Sequence, residues 1–145
     1  MIVISIMNLK GGSSKSTVSM NLARGIQLDN ARVCIIDMDE QLTISTWHQI
    51  SKTKHVDVYQ SNAKGLSELL KTLANNYDIC VIDTPPQVKE LALSVIQVSS
   101  IVLIPVNPSP SDYWASINFA QLVKQRMAVS KLKAVYLLTK VKPNS

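Results

Sequence analysis

Lys10-Gly11-Gly12-Ser13-Ser14-Lys15-Ser16-Thr17 stands between an apolar run, Ile2 to Met7, and a segment whose apolar residues recur at helical spacing. Strand, glycine-containing turn and helix start, in that order, leave few folds open. Glycine lets successive main-chain N–H groups close around one point, and a helix N-terminus adds partial positive charge there, so the turn suits phosphate oxygens. Lys15 then sits on the β- and γ-phosphates of a nucleotide and Ser16 on Mg²⁺. The ordinary phosphate-loop pattern asks for glycine where this chain has Leu9 and Ser14, and the chain carries a second lysine, Lys10, instead.

Short apolar runs bounded by polar or Gly/Pro residues alternate with helical patterns along the rest of the chain, the mark of βαβ units and a mainly parallel, doubly wound α/β sheet with helices on both faces. The pattern predicts strands at Ile2–Met7, Arg32–Asp37, Val56–Tyr59, Ile79–Asp83, Ile101–Val106 and Ala134–Leu138. Helices are expected near Ser16–Leu28, Leu42–Ser51, Gly65–Asn75, Lys89–Val98 and Ser111–Val129. Val18, Leu22, Ala23 and Ile26 form the apolar face of the first. In such a sheet ligands bind beyond the carboxyl ends of the strands. The turn at 10–17, Asp37 and Asp83 all fall at such ends.

At 145 residues the chain reads as one domain, with enough length to bury a core without disulfides or metals. Its longest uncharged stretch, Leu91–Ser111, is broken by Gln97, Pro105, Asn107, Pro108 and Pro110, which argues against a membrane span. Cys34 and Cys80 each open an apolar run and read as small, reduced core residues, which places the chain in the cytoplasm. Trp47 and Trp114 read as packing anchors, His48 and His55 as surface or hydrogen-bonded histidines, and Gly25 as a close helix–sheet contact. The net charge is +5, and Lys124, Arg126, Lys131, Lys133, Lys140 and Lys142 follow Asp112 with no acid among them. Such a surface can neutralise nucleic-acid phosphates without reading sequence; its plainer reading is a solvated helix face.

Lys-Gly-Gly-x-x-Lys-Ser-Thr resembles the deviant Walker A loop of the ParA/MinD family of partition and cell-division ATPases. Ile35-Ile36-Asp37-Met38-Asp39-Glu40-Gln41 is similar to that family's second motif, with Glu40 where proline is common. Val81-Ile82-Asp83-Thr84-Pro85-Pro86 resembles its Walker B strand, and Ile104-Pro105-Val106-Asn107-Pro108-Ser109-Pro110 its Pro-rich loop. The likeness is to the short members without an N-terminal DNA-binding domain, and 1–145 would be a single P-loop domain lacking the family's usual C-terminal portion.

The resemblance implies ATP and Mg²⁺ as cofactors. Lys10, Gly11, Gly12, Ser13, Ser14, Lys15, Ser16 and Thr17 would contact nucleotide, and Ser16, Asp37 and Asp83 would form the Mg²⁺ shell. Lys10, Lys15 and Asp39 would be catalytic, Asp39 orienting water and Lys10 reaching the phosphates of a second subunit like an arginine finger. An extended backbone would carry Asp39 to the same side as Asp37. Ser14 either is tolerated in the loop or costs about 1 kcal/mol where a positive φ is needed. The implied protein is a plasmid or chromosome partition ATPase, a nucleotide-dependent homodimer acting with a DNA-bound, ParB-like centromere-binding adaptor and associating with the nucleoid. The alternatives are membrane-based division-site placement, which lacks its amphipathic helix in Leu132–Ser145, and a nucleotide-binding module that no longer turns over.

Overall fold

In the computed structural model the described residues are 1–8, 15–39, 41, 43–50, 56–85 and 89–139. The predicted alternation holds throughout: β1 (Ile2–Ile6), α1 (Lys15–Leu28), β2 (Val33–Asp37), α2 (Thr43–Ile50), β3 (Asp57–Gln60), α3 (Leu66–Leu73), β4 (Ile79–Asp83), α4 (Lys89–Val98), β5 (Ile101–Val106), α5 (Pro110–Met127) and β6 (Lys133–Leu138). Three elements match the expected bounds, and the others shift by a few residues at an end, as hydrogen-bonded ends do relative to hydropathy. The six strands form one sheet in the order β3-β2-β4-β1-β5-β6, and every pairing is parallel.

Two apolar layers cover the sheet, as parallel strands require. Ile6, Val33, Ile35 and Val81 meet Ala23 of α1 and Ile44 of α2 on one face. On the other, Val3, Ile36, Ile82, Val102 and Ile104 pack with side chains of α3, α4 and α5, including Leu70, Val95 and Phe119. Thus α1 leaves β1 on the first face while α4 leaves β4, its neighbour, on the second. Connections leaving adjacent strands on opposite faces flank the carboxyl ends of β1 and β4, where a ligand can sit.

Helix α1 buries Lys15, Ser19 and Ala23, so its inward stripe begins with polar residues, and the predicted Val18, Leu22 and Ile26 flank it, partly buried. The helix ends where Asn30 takes φ 67°, a left-handed conformation that asparagine tolerates better than most side chains. Cys34 and Cys80 are adjacent in the β2–β4 register, free and fully buried. Each thiol neighbours the other, which together with burial pushes the Cys80 thiol far up.

Three expectations are corrected. Trp47 and Trp114 are 44% and 66% exposed and lie outside the buried core; Trp114 meets Tyr113 edge-on at the surface. His48 is half-buried, and its Nε2 is buried with no hydrogen-bond partner among the described residues. His55 lies outside the described residues. Gly25 is exposed and a Cβ there would touch nothing within 4 Å, so no close helix–sheet contact needs it. At the far edge of the sheet Val135, Tyr136, Leu137 and Leu138 remain 37–66% exposed, and among the described residues no strand pairs the outer side of β6.

Gly25→Ala should therefore stabilise the protein by roughly 0.5–1 kcal/mol, because alanine costs less backbone entropy inside a helix. Thermal melting should rise by about 2–4 °C, and a fall would show that position 25 needs glycine after all.

Candidate active site

Asp83 ends β4 and Asp37 ends β2, and the two are Cα partners across the parallel ladder, on the face that carries α1 and α2. Side chains opposite each other in a parallel pair share a face. The first turn of α1 lies over Asp83. Ser16 Oγ donates to Asp83 Oδ2 at 2.8 Å, and Ser19 Oγ lies 2.9 Å from Asp83 Oδ1 and 2.8 Å from the Lys15 carbonyl, two acceptors for one hydroxyl proton. Two serines one helical turn apart thus hold both oxygens of one carboxylate.

Burial pushes the Asp83 carboxyl up to about 6, the Asp37 carboxylate adds to that, and the two serines and Lys15 pull the other way. Lys15 is 7% exposed. Its ammonium is held below the usual lysine value by desolvation, opposed by Asp83 and Asp39. A lysine and a carboxylate are each displaced toward neutrality, so burial outweighs their mutual attraction.

Asp37 is fully buried and its carboxylate is occupied. Oδ1 accepts the Asp39 N–H at 3.1 Å, and Oδ2 accepts the Ser45 N–H at 3.0 Å and its hydroxyl at 2.9 Å. It therefore satisfies a donor at the start of α2, whose first N–H groups have no partner inside the helix. The bond from Asp39 back to Asp37 is an Asx-type turn, so the chain bends where an extended backbone was expected to follow the strand, and Asp39 in turn accepts the Gln41 N–H at 3.0 Å. Asp39 still lies close enough to Lys15 to raise its pKa.

Of the predicted site residues, the structure brings together Lys15, Ser16, Asp37, Asp39 and Asp83. Thr17 is exposed, one residue along α1. Lys10, Gly11, Gly12, Ser13 and Ser14 lie outside the described residues. Sequence reasoning missed Ser19, Ser45 and Thr84. Ser19 was legible as a polar residue four positions after Lys15 on the inward stripe. Thr84, buried, donates its hydroxyl to the Ile6 carbonyl at 2.8 Å and so ties the turn after β4 to β1.

Among the described residues no three His, Cys, Asp or Glu side chains form a metal cage. The donor set at Asp83, one carboxylate with an adjacent hydroxyl, instead fits Mg²⁺ bound together with phosphate oxygens and water. The basic residues lie at the other end of the sheet: Lys124, Lys131 and Lys133 are exposed, and Arg126 Nη2 is 3.5 Å from the Gln97 carbonyl, near a cleft of about 240 Å³. Lys140 and Lys142 are outside the described residues. No described helix is long and apolar enough to cross a membrane.

A parallel sheet with a buried lysine opening the helix after β1 and a carboxylate ending the neighbouring strand defines the P-loop nucleoside triphosphatase class. A family model described as an AAA domain matches residues 1–61 and 50–134. The chain is 31% identical over 98% of its length to the maintenance of carboxysome distribution protein A of Halothiobacillus neapolitanus. Its fold superposes on a plasmid partition protein from Borrelia burgdorferi with TM-score 0.82 at 23% identity, covering 99% of this chain and 81% of that one. It also superposes on cobyrinic acid a,c-diamide synthase from Mycobacterium smegmatis with bound ADP and magnesium, with TM-score 0.83 at 19% identity, covering 100% and 77%. The chain belongs to the ParA/MinD family of partition ATPases, as the motifs implied. It spans 68% of the Halothiobacillus relative, and 65% and 51% of two other curated relatives.

The raised Asp83 pKa carries a pH consequence. Protonation is favoured in the folded state, so the associated stability is full below the unfolded value near 3.8 and is lost as pH rises through about 6. In nucleotide-free protein Asp83→Asn should remove this dependence and stabilise the fold near pH 7 by roughly 2–3 kcal/mol, at 1.36 kcal/mol per pKa unit. Denaturant melts of both proteins at pH 5 and pH 7 check this; an equal pH response in both would contradict it.

Proposed function

We propose that this chain is the nucleotide-binding domain of a cargo-positioning ATPase that binds Mg-ATP, closes into a face-to-face homodimer, and reopens on hydrolysis. The observation that carries the reading is the cluster of buried Lys15 with Ser16 and Asp83, a donor set matched to a metal–triphosphate and to little else. Bound Mg²⁺ would supply Lewis-acid stabilisation of charge on the phosphate oxygens.

The remaining work falls to the chain. Lys15 and the main-chain N–H groups of 11–17 hold phosphate charge, Ser16 and Asp83 hold the metal, and Asp37 keeps Asp39 and the start of α2 in fixed relation to them. Asp39 orients the attacking water. Lys10 completes the phosphate pocket of the partner subunit, which makes dimer formation depend on nucleotide. A slow ATPase of this kind is a timer, reset by a cargo-bound adaptor. The cargo is a plasmid or chromosome region with a ParB-like adaptor, or a protein compartment as the Halothiobacillus relative's name describes for that protein. The exposed basic residues supply non-specific contact to nucleoid DNA.

Sizing the protein with and without a non-hydrolysable ATP analogue should show a shift from monomer to dimer, lost in Lys15→Ala. Asp39→Ala should retain nucleotide binding and the dimer while hydrolysis falls by about 100-fold or more. Absence of nucleotide uptake with magnesium present would overturn the reading. Uptake with no turnover, with or without DNA, would leave the non-hydrolysing module.

A further inference from the structure

Proline is ordinarily excluded from a strand that is paired on both sides, because it has no N–H to give the ladder. Pro105 lies in β5, between β1 and β6. Its position coincides with the place where β1 ends. Met7 N–H donates to the Leu103 carbonyl at 2.9 Å, the last step of the β1–β5 ladder among the described residues. The parallel pattern next calls for the residue-105 N–H to donate to the Met7 carbonyl, and for the N–H two residues beyond Met7 to donate to the residue-105 carbonyl. Proline deletes the first of these bonds.

The Pro105 carbonyl is met by a side chain. Asn8, 2% exposed, turns its side-chain amide onto the Pro105 carbonyl, Nδ2 to O 2.8 Å. The same Nδ2 lies 3.2 Å from the hydroxyl of Ser116, which is fully buried in α5. An asparagine amide carries two hydrogens, so it can serve both acceptors at once. A side chain thus bonds the carbonyl beside which proline interrupts the ladder, and fastens the segment after β1 to β5 and α5 together.

We propose that Asn8 and Pro105 are positioning residues that act as a ladder exit, fixing where the chain leaves the sheet toward Lys15 and coupling that point to α5 through Ser116. Pro105 frees the Met7 carbonyl, and Asn8 prevents the freed end from fraying. The proposal rests on the nucleotide reading above, since its purpose is to set the approach of the main chain to phosphate.

Pro105→Ala gives position 105 an N–H facing the Met7 carbonyl, and it separates positioning from stability. A purely structural proline would, when replaced, alter melting and leave nucleotide affinity alone. The ladder exit requires the opposite: melting within about 3 °C of the parent, the new amide at 105 protected from hydrogen exchange by about 100-fold or more, and MgATP affinity measured by calorimetry weakened by about tenfold. Asn8→Ala should also weaken MgATP binding and should speed amide exchange in the first turn of α1 while leaving β2 and β4 unchanged. Unaltered affinity in both variants, with the parent binding MgATP normally, overturns the proposal. If the parent binds no nucleotide, the nucleotide reading fails separately, and the exchange measurements still decide: an unprotected amide at 105 or an unchanged first turn of α1 refutes the ladder exit.

Discussion

Both oxygens of Asp83 are held by hydroxyls of α1, and that grip joins the sheet to the helix that follows the phosphate turn. Asp83 ends β4, its carbonyl accepts the Met38 N–H at 3.0 Å, and its carboxylate takes Ser16. The next ties spread outward from there. Met38 precedes Asp39 and follows Asp37, whose carboxylate anchors the start of α2. Thr84 bonds back to β1. Three strand ends and two helix starts therefore meet within one hydrogen-bonded patch, so moving any one of them moves the charges that face a ligand.

The sheet order explains why the patch lies at β1 and β4. Because α1 runs from β1 across β4 toward β2 on one face, and α4 runs from β4 across β1 toward β5 on the other, the two connections flank the carboxyl ends of both strands. The location is a product of topology, and chemistry-bearing residues at strand ends fall there without further arrangement. Sequence-distant motifs near 16, 37 and 83 are thereby brought together by two parallel pairings, β1 with β4 and β2 with β4.

The four inner strands were legible because each, covered on both faces, is a nearly unbroken apolar run, whereas edge strand β3 is only alternately apolar and was placed one residue early. Asp83 and Asp37 were legible because each closes such a run. What escaped was the polar packing: Ser19, Ser45, Asn8 and Thr84 are common residue types whose roles come from partners far away in the chain, and no local pattern separates them from solvated serines and asparagines. The tryptophans misled for the converse reason. Hydrophobicity says that Trp47 and Trp114 could be buried, but the faces of α2 and α5 facing the sheet are already filled by Ile44 and by Phe119 and Val123. Gly25 misled because glycine within a helix suggests a tight contact, and here its surroundings are solvent.

The displaced protonation equilibria of Lys15 and Asp83 say what the patch is built to receive. Were the two a self-sufficient ion pair, attraction would dominate and hold Lys15 up and Asp83 down; burial wins instead for both. Such a pair is costly to keep for stability alone. Phosphate oxygens beside Lys15 would favour its charged form, and a divalent cation beside Asp83 would favour the carboxylate, so one metal–nucleotide reverses both shifts. Binding of such a group would be linked to proton release from Asp83 around pH 6.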